Sequence, residues 1–107
     1  MKYRLVIQPR ALQDIEEAYQ SLEAISAPAA IDWFNSVDEA IQSLSELPGR
    51  FALAPEAKTL GIPIRQMPHG KKRHVFRILY TIREMEVHIL RVRHSAREPF
   101  DDESYFQ

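Results

Sequence analysis

At 107 residues the chain has room for one hydrophobic core, and 45% hydrophobic with 27% charged residues argues against a disordered polymer. No apolar stretch approaches the ~18 residues that a membrane span requires, and the absence of cysteine removes disulfides, thiol chemistry and thiolate metal sites. A soluble cytoplasmic protein is expected. The formal charge of −1 hides a segregation: residues 1 to 56 carry four Lys/Arg against nine Asp/Glu, a net of −5, whereas residues 65 to 97 carry nine Lys/Arg against two acids, a net of +7. All four histidines fall in that basic stretch, and acids return at Glu98, Asp101, Asp102 and Glu103. A local field of this kind attracts phosphate backbones or an acidic protein partner, although a solvated basic face is the plainer reading.

Residues 2 to 8 are rich in β-branched and aromatic types and stop at Pro9, which predicts a first strand rather than a targeting segment. From residue 11 to about 25, Leu12, Ile15, Tyr19 and Leu22 recur at helical spacing, with Asp14, Glu16, Glu17 and Glu23 opposite. Pro28 suits a first helical turn, so a second helix is predicted from about residue 27 to the Leu47-Pro48-Gly49 stop, with Ala30, Phe34, Val37, Ile41 and Leu44 on one face and Trp33 and Ala40 at its edge. The two helices form an antiparallel hairpin. Residues 48 to 61 read as an irregular connection with room for one short helical turn. Three extended runs follow, 62 to 68, 73 to 82 and 87 to 94, with turns at 69 to 71 and 83 to 86.

The order β-α-α-β-β-β predicts an α+β domain spanning 1 to 107, with a helical hairpin packed on one face of a mostly antiparallel sheet and an acidic tail over 98 to 107. If Ile82 pairs with Val87, the same register sets Arg77 opposite Val92 and Val75 opposite His94. One face then carries Phe76, Ile78, Tyr80, Ile82, Val87 and Ile89, and the helices are expected there. The other carries Val75, Arg77, Leu79, His88, Leu90, Val92 and His94, with Arg77 and His94 as diagonal neighbours. A one-residue bulge would exchange half of these assignments.

The histidines show no HExxH spacing, three glycines cannot build a phosphate loop, and no GxSxG elbow exists, so neither metal nor cofactor is expected. What remains is the basic cluster. Arginine and histidine together suit metal-free phosphodiester cleavage, in which a base takes the 2′-hydroxyl proton and cations stabilise the crowded transition state. Arg77 is the candidate cation and His94 the candidate acid or base, with Arg65, Lys71, Lys72, Arg73, Arg91, Arg93 and Arg97 as candidate target- or nucleic-acid-binding residues. On spacing alone, a surface Arg77 and a hydrogen-bonding His94 at a strand end is the more economical reading.

The segments Gly61-Ile62-Pro63-Ile64-Arg65-Gln66-Met67, Arg77-Ile78-Leu79-Tyr80-Thr81-Ile82 and Val87-His88-Ile89-Leu90-Arg91-Val92-Arg93-His94-Ser95-Ala96-Arg97 resemble, in series, the signature of RelE/ParE toxins. Asp14-Ile15, Tyr19, Ala30, Trp33, Ala40-Ile41 and Leu44 follow the same family's helical hairpin, so the likeness covers nearly the whole chain. The resemblance implies a growth-inhibiting toxin of a type II toxin-antitoxin system. Its partner would be a cognate antitoxin whose acidic or amphipathic segment wraps the hairpin and the basic sheet. Its target would be DNA gyrase in the ParE-like branch, or the ribosome with mRNA in the RelE-like branch. The ribonuclease branch would use Arg77 and His94, with Glu56 matching a glutamate base and Tyr105 a C-terminal tyrosine. Against that branch, the loop from 48 to 61 holds a single lysine, Lys58, where ribosome-dependent members cluster several.

Overall fold

In a computed structural model, which describes residues 2 to 71 and 74 to 95, two long helices cover one side of a four-stranded sheet and a short helix covers part of the other. The first strand, β1 (Arg4–Ile7), is followed by α1 (Pro9–Glu23) and α2 (Ala27–Ser43). Pro sits in the first turn of each helix, where its missing N–H has no intrahelical partner, and the Ser26 hydroxyl caps α2 by accepting from Ala29 N–H at 3.3 Å. The connection beyond α2 is more ordered than an irregular loop. It holds a 3-10 turn (Pro48–Arg50) and a third helix, α3 (Pro55–Leu60), which ends on Gly61 in the left-handed region at φ 70°.

The remaining strands are β2 (Ile64–His69), β3 (Phe76–Arg83) and β4 (Glu86–His94). Spatial order is β1-β4-β3-β2, antiparallel except for the parallel β1–β4 pair, so β4 lies inside the sheet. The β3–β4 loop is two residues long, with Glu84 at φ 54°, one of the positive values that such tight hairpin loops demand. At the other turn, Gly70 has φ 117° and its absent Cβ would run into the His74 carbonyl, so only glycine fits.

Ile82 pairs with Val87 and Tyr80 with Ile89 as expected, but the register shifts at Leu79/Tyr80 because β4 holds Leu90 as an extra residue. Beyond that bulge Arg77 faces Arg93, not Val92, and His94 faces Phe76, not Val75. The expected helix-covered face is otherwise present: Ile78, Tyr80, Val87 and Ile89 are fully buried against Val37, Ile41 and Ala11, and Val92 joins them. On the opposite face, Leu79 and Ile64 pack with Ala54 and the α3 side chains Ala57 and Leu60. Tyr80 spans the first core and donates its hydroxyl proton to the Pro48 carbonyl at 2.5 Å, fastening the 3-10 turn to the sheet. Burial raises the Tyr80 pKa, with Arg65 and Arg50 pulling the other way.

Candidate functional site

The loop that leads into α3 is stitched to the outer edge of β2. Ala54 N–H donates to the Ile64 carbonyl at 2.8 Å, Gln66 N–H donates to the Ala52 carbonyl at 3.1 Å, and Leu53 bridges Arg65. This anchoring lays α3 on the sheet face that carries Arg77 and drives Glu56, in its first turn, into the interior. Glu56 is 0% exposed and Arg77 is 9% exposed. The Arg77 guanidinium donates to both Glu56 carboxylate oxygens at 3.0 and 2.8 Å and to Gln66 Oε1 at 3.0 Å. Burial alone would raise the Glu56 pKa, but the hydrogen bonds from Arg77, a backbone N–H and the charges of Arg77 and Arg93 together hold the carboxyl below its ordinary value. The pair is charged, bidentate and largely shielded from solvent.

A second pair joins β4 to α1. Arg91 donates to Asp14 of α1 through Nε at 2.6 Å and through a terminal nitrogen at 2.8 Å, and Asp14 also accepts from Val92 N–H at 2.9 Å, just past the bulge. One carboxylate therefore neutralises Arg91 and satisfies a strand amide at once. Beside it, α1, α2 and the ends of β3 and β4 enclose a cleft of about 450 Å³, with Trp33, Phe76, His74 and His94 in its wall. Phe76 is the hub. It lies 5.2 Å from Trp33 and 5.3 Å from His94, centroid to centroid, and pairs across the sheet with His69. The Ser36 hydroxyl gives its single proton to the Trp33 carbonyl at 2.8 Å, so its contact with His69 Nε2 at 2.9 Å has the imidazole N–H as donor.

These positions correct the expectation of one cationic surface. Arg77 and His94 do not meet, because the bulge at Leu90 turns His94 to the helix side while Arg77 stays on the α3 side. Arg91 is buried against Asp14 of α1. Arg93 lies next to Arg77, and its charge reaches Glu56. Arg65, half-buried on β2, donates to the Phe51 carbonyl at 2.7 Å, while Lys71 is exposed at the turn after β2. Lys72, Arg73, Arg97, Tyr105 and the acidic tail lie outside the described residues.

Sequence reasoning set Asp14 on the solvent side of α1 and gave it no role. Its partner could not be found without the bulge. The bulge did leave a mark: apolar positions run Val87, Ile89 and then Leu90, Val92, so the alternation changes phase at Ile89-Leu90. Glu56 was legible only through the family resemblance, since α3 is too short for a periodic signal.

Comparison with known proteins agrees with this architecture. A solved structure described as the chromosomal ParDE toxin-antitoxin system from P. aeruginosa superposes with a TM-score of 0.67 at 17% identity, covering 87% of this chain and 96% of that one. At that identity the likeness establishes the fold alone. No curated protein sequence matches. The family model for the ParE toxin of the type II toxin-antitoxin system parDE matches residues 5–99, from within β1 to past the end of β4. The chain therefore belongs to the ParE toxin family of type II toxin-antitoxin systems.

Proposed function

We propose that this protein is a growth-inhibiting toxin that acts on DNA gyrase and is neutralised by a cognate antitoxin. The observation that carries the choice of target is the sealed Glu56–Arg77 pair. Metal-free RNA cleavage needs a guanidinium free to meet a developing phosphorane and an acid or base beside it. Arg77 instead directs three of its N–H donors to Glu56 and Gln66 beneath α3, and His94 stands on the other side of the sheet. The family match, to ParE toxins, agrees with a target engaged by binding. Candidate contacts for gyrase are Lys71, exposed after β2, and Arg93 on β4, together with Lys72, Arg73 and Arg97 of the same basic stretch of sequence.

The test is a supercoiling assay with purified gyrase and the folded chain. Loss of supercoiling at stoichiometric toxin is expected, and undiminished supercoiling at large excess would reject gyrase as the target. The ribonuclease reading predicts new mRNA 5′ ends in translating extracts and their disappearance in His94→Ala. The gyrase reading predicts no new ends, and a His94→Ala variant that still arrests growth.

A further inference from the structure

Trp33, the only tryptophan of the chain, stands in the wall of the cleft of about 450 Å³ between α1, α2 and the ends of β3 and β4. Its indole N–H is closed to solvent and meets no acceptor. A buried tryptophan usually finds a hydrogen-bond partner, and a buried donor without one calls for an explanation. A group that enters the cleft, met by a turn of the indole, would supply the missing acceptor.

The rest of the wall says what kind of group that is. The rings of Trp33, Phe76 and His94 are contiguous, with successive centroids 5.2 and 5.3 Å apart, so an aromatic ring can pack on them by face or by edge. His74 and His94 add imidazole N–H donors, present in either charge state of the ring. Of the acids in the wall, Asp14 already serves Arg91 and the Val92 amide, and Glu17 is exposed on α1. Arg93 is a further cation there. The cleft thus offers ring surface at one side and donors with positive charge at the other. Its size lies within the range of about 300 to 1,000 Å³ typical of small-ligand sites.

We infer that this cleft binds a small aromatic carboxylate. The ring of the ligand packs against Trp33 and Phe76, and its carboxylate accepts from the imidazoles of His74 and His94 and from the turned Trp33 indole. A neutral aromatic lacks the charge that these donors favour, an aliphatic acid leaves the rings uncovered, and an amine meets cations. Because Trp33 belongs to α2 and His94 to β4, the bound ligand ties the hairpin to the end of the sheet. The inference needs only the geometry of the cleft and stands apart from the choice of gyrase as target.

A nitrogen–proton correlation spectrum of the labelled full chain tests it, since Trp33 gives the single indole signal. Phenylacetate should move that signal downfield, with half-saturation below about 10 mM, and should move the backbone signals of Val92 to Ser95 with it. Phenylacetamide, acetate and phenethylamine remove the charge, the ring and the negative sign in turn, and each should bind at least about tenfold more weakly. His74→Gln with His94→Gln should weaken phenylacetate by about fivefold or more while the far-UV spectrum stays unchanged. Trp33→Phe keeps a ring and removes the donor, and should weaken binding as read from the Val92 to Ser95 signals. The four-ligand series on the native chain decides the matter even if a variant fails to fold. No saturable shift, an indole signal that stays in place, equal binding of phenylacetamide or acetate, tighter binding of phenethylamine, or shifts centred away from the cleft would each overturn the inference.

Discussion

Glu56–Arg77 and Asp14–Arg91 are chemically the same pair, each tying a different helix to one sheet, yet they hold very different elements. In each, the strand supplies the guanidinium and a helix supplies the carboxylate. Asp14 belongs to α1, fifteen residues long, whose apolar stripe already buries Ala11 and Ile15 in the main core. Glu56 belongs to α3, six residues long, which contributes only Ala57 and Leu60 to a small second cluster. The charge pair is auxiliary to α1 and a principal fastening for α3. A buried ion pair is expensive to desolvate and expensive to break, so its effect is local in the first case and decisive in the second.

The largest test of that contrast is Glu56→Ala, which strands Arg77 in the interior and should lower unfolding free energy by about 3–5 kcal/mol in urea titration. Amide exchange over residues 53 to 61 should accelerate before the long helices do. The double variant Glu56→Leu with Arg77→Leu removes both charges and should recover most of the loss. Asp14→Ala comes next, at about 2–3 kcal/mol, because Arg91 and the Val92 amide lose a partner while α1 remains seated by its apolar face.

pH gives a separate handle on the α3 pair. The Glu56 carboxyl is held below its unfolded value of about 4.3, so its contribution is present above that pH and is lost as pH falls through the lower folded value. The acid limb of the stability curve should therefore steepen below about pH 4.3, and Glu56→Gln should flatten it. A curve that Glu56→Gln leaves unchanged would mean that other carboxylates dominate acid unfolding.

Two smaller effects probe the connection between the faces. Tyr80→Phe leaves the buried Pro48 carbonyl without its donor and should cost about 1–2 kcal/mol by thermal denaturation. Leu47, 78% exposed and at φ 47°, occupies a backbone region that disfavours a side chain, so Leu47→Gly should stabilise by about 0.5 kcal/mol.

How much of this was legible follows from the length of each signal. The long helices were plain because Leu12, Ile15, Tyr19 and Leu22, and then Ala30, Phe34, Val37 and Ile41, repeat over several turns. The helix-covered sheet face was plain because Phe76, Ile78, Tyr80 and Ile82 alternate without interruption. Parallel pairing of β1 with β4 leaves no local trace, since strands far apart in the chain carry no turn between them. The candidate site depended on one inserted residue. Leu90 shifts everything after it by one position, and a pattern of period two converts a shift of one into a change of face. The arginines were read as one free cationic surface, whereas Arg77 and Arg91 are paired inside the chain, because a composition count records the charge of Asp14 and Glu56 and not which guanidinium each will meet.

The interior position of β4 also sets an order of assembly. Among the described residues β1 has its only strand partner there, and α1 takes its ionic anchor from Arg91, 77 residues downstream. A growing polypeptide that has exposed everything through β3 still lacks the strand on which its first two elements depend. Such long-range closure predicts slow, late and concerted folding, with the amino-terminal third waiting on the ribosome for its template to emerge.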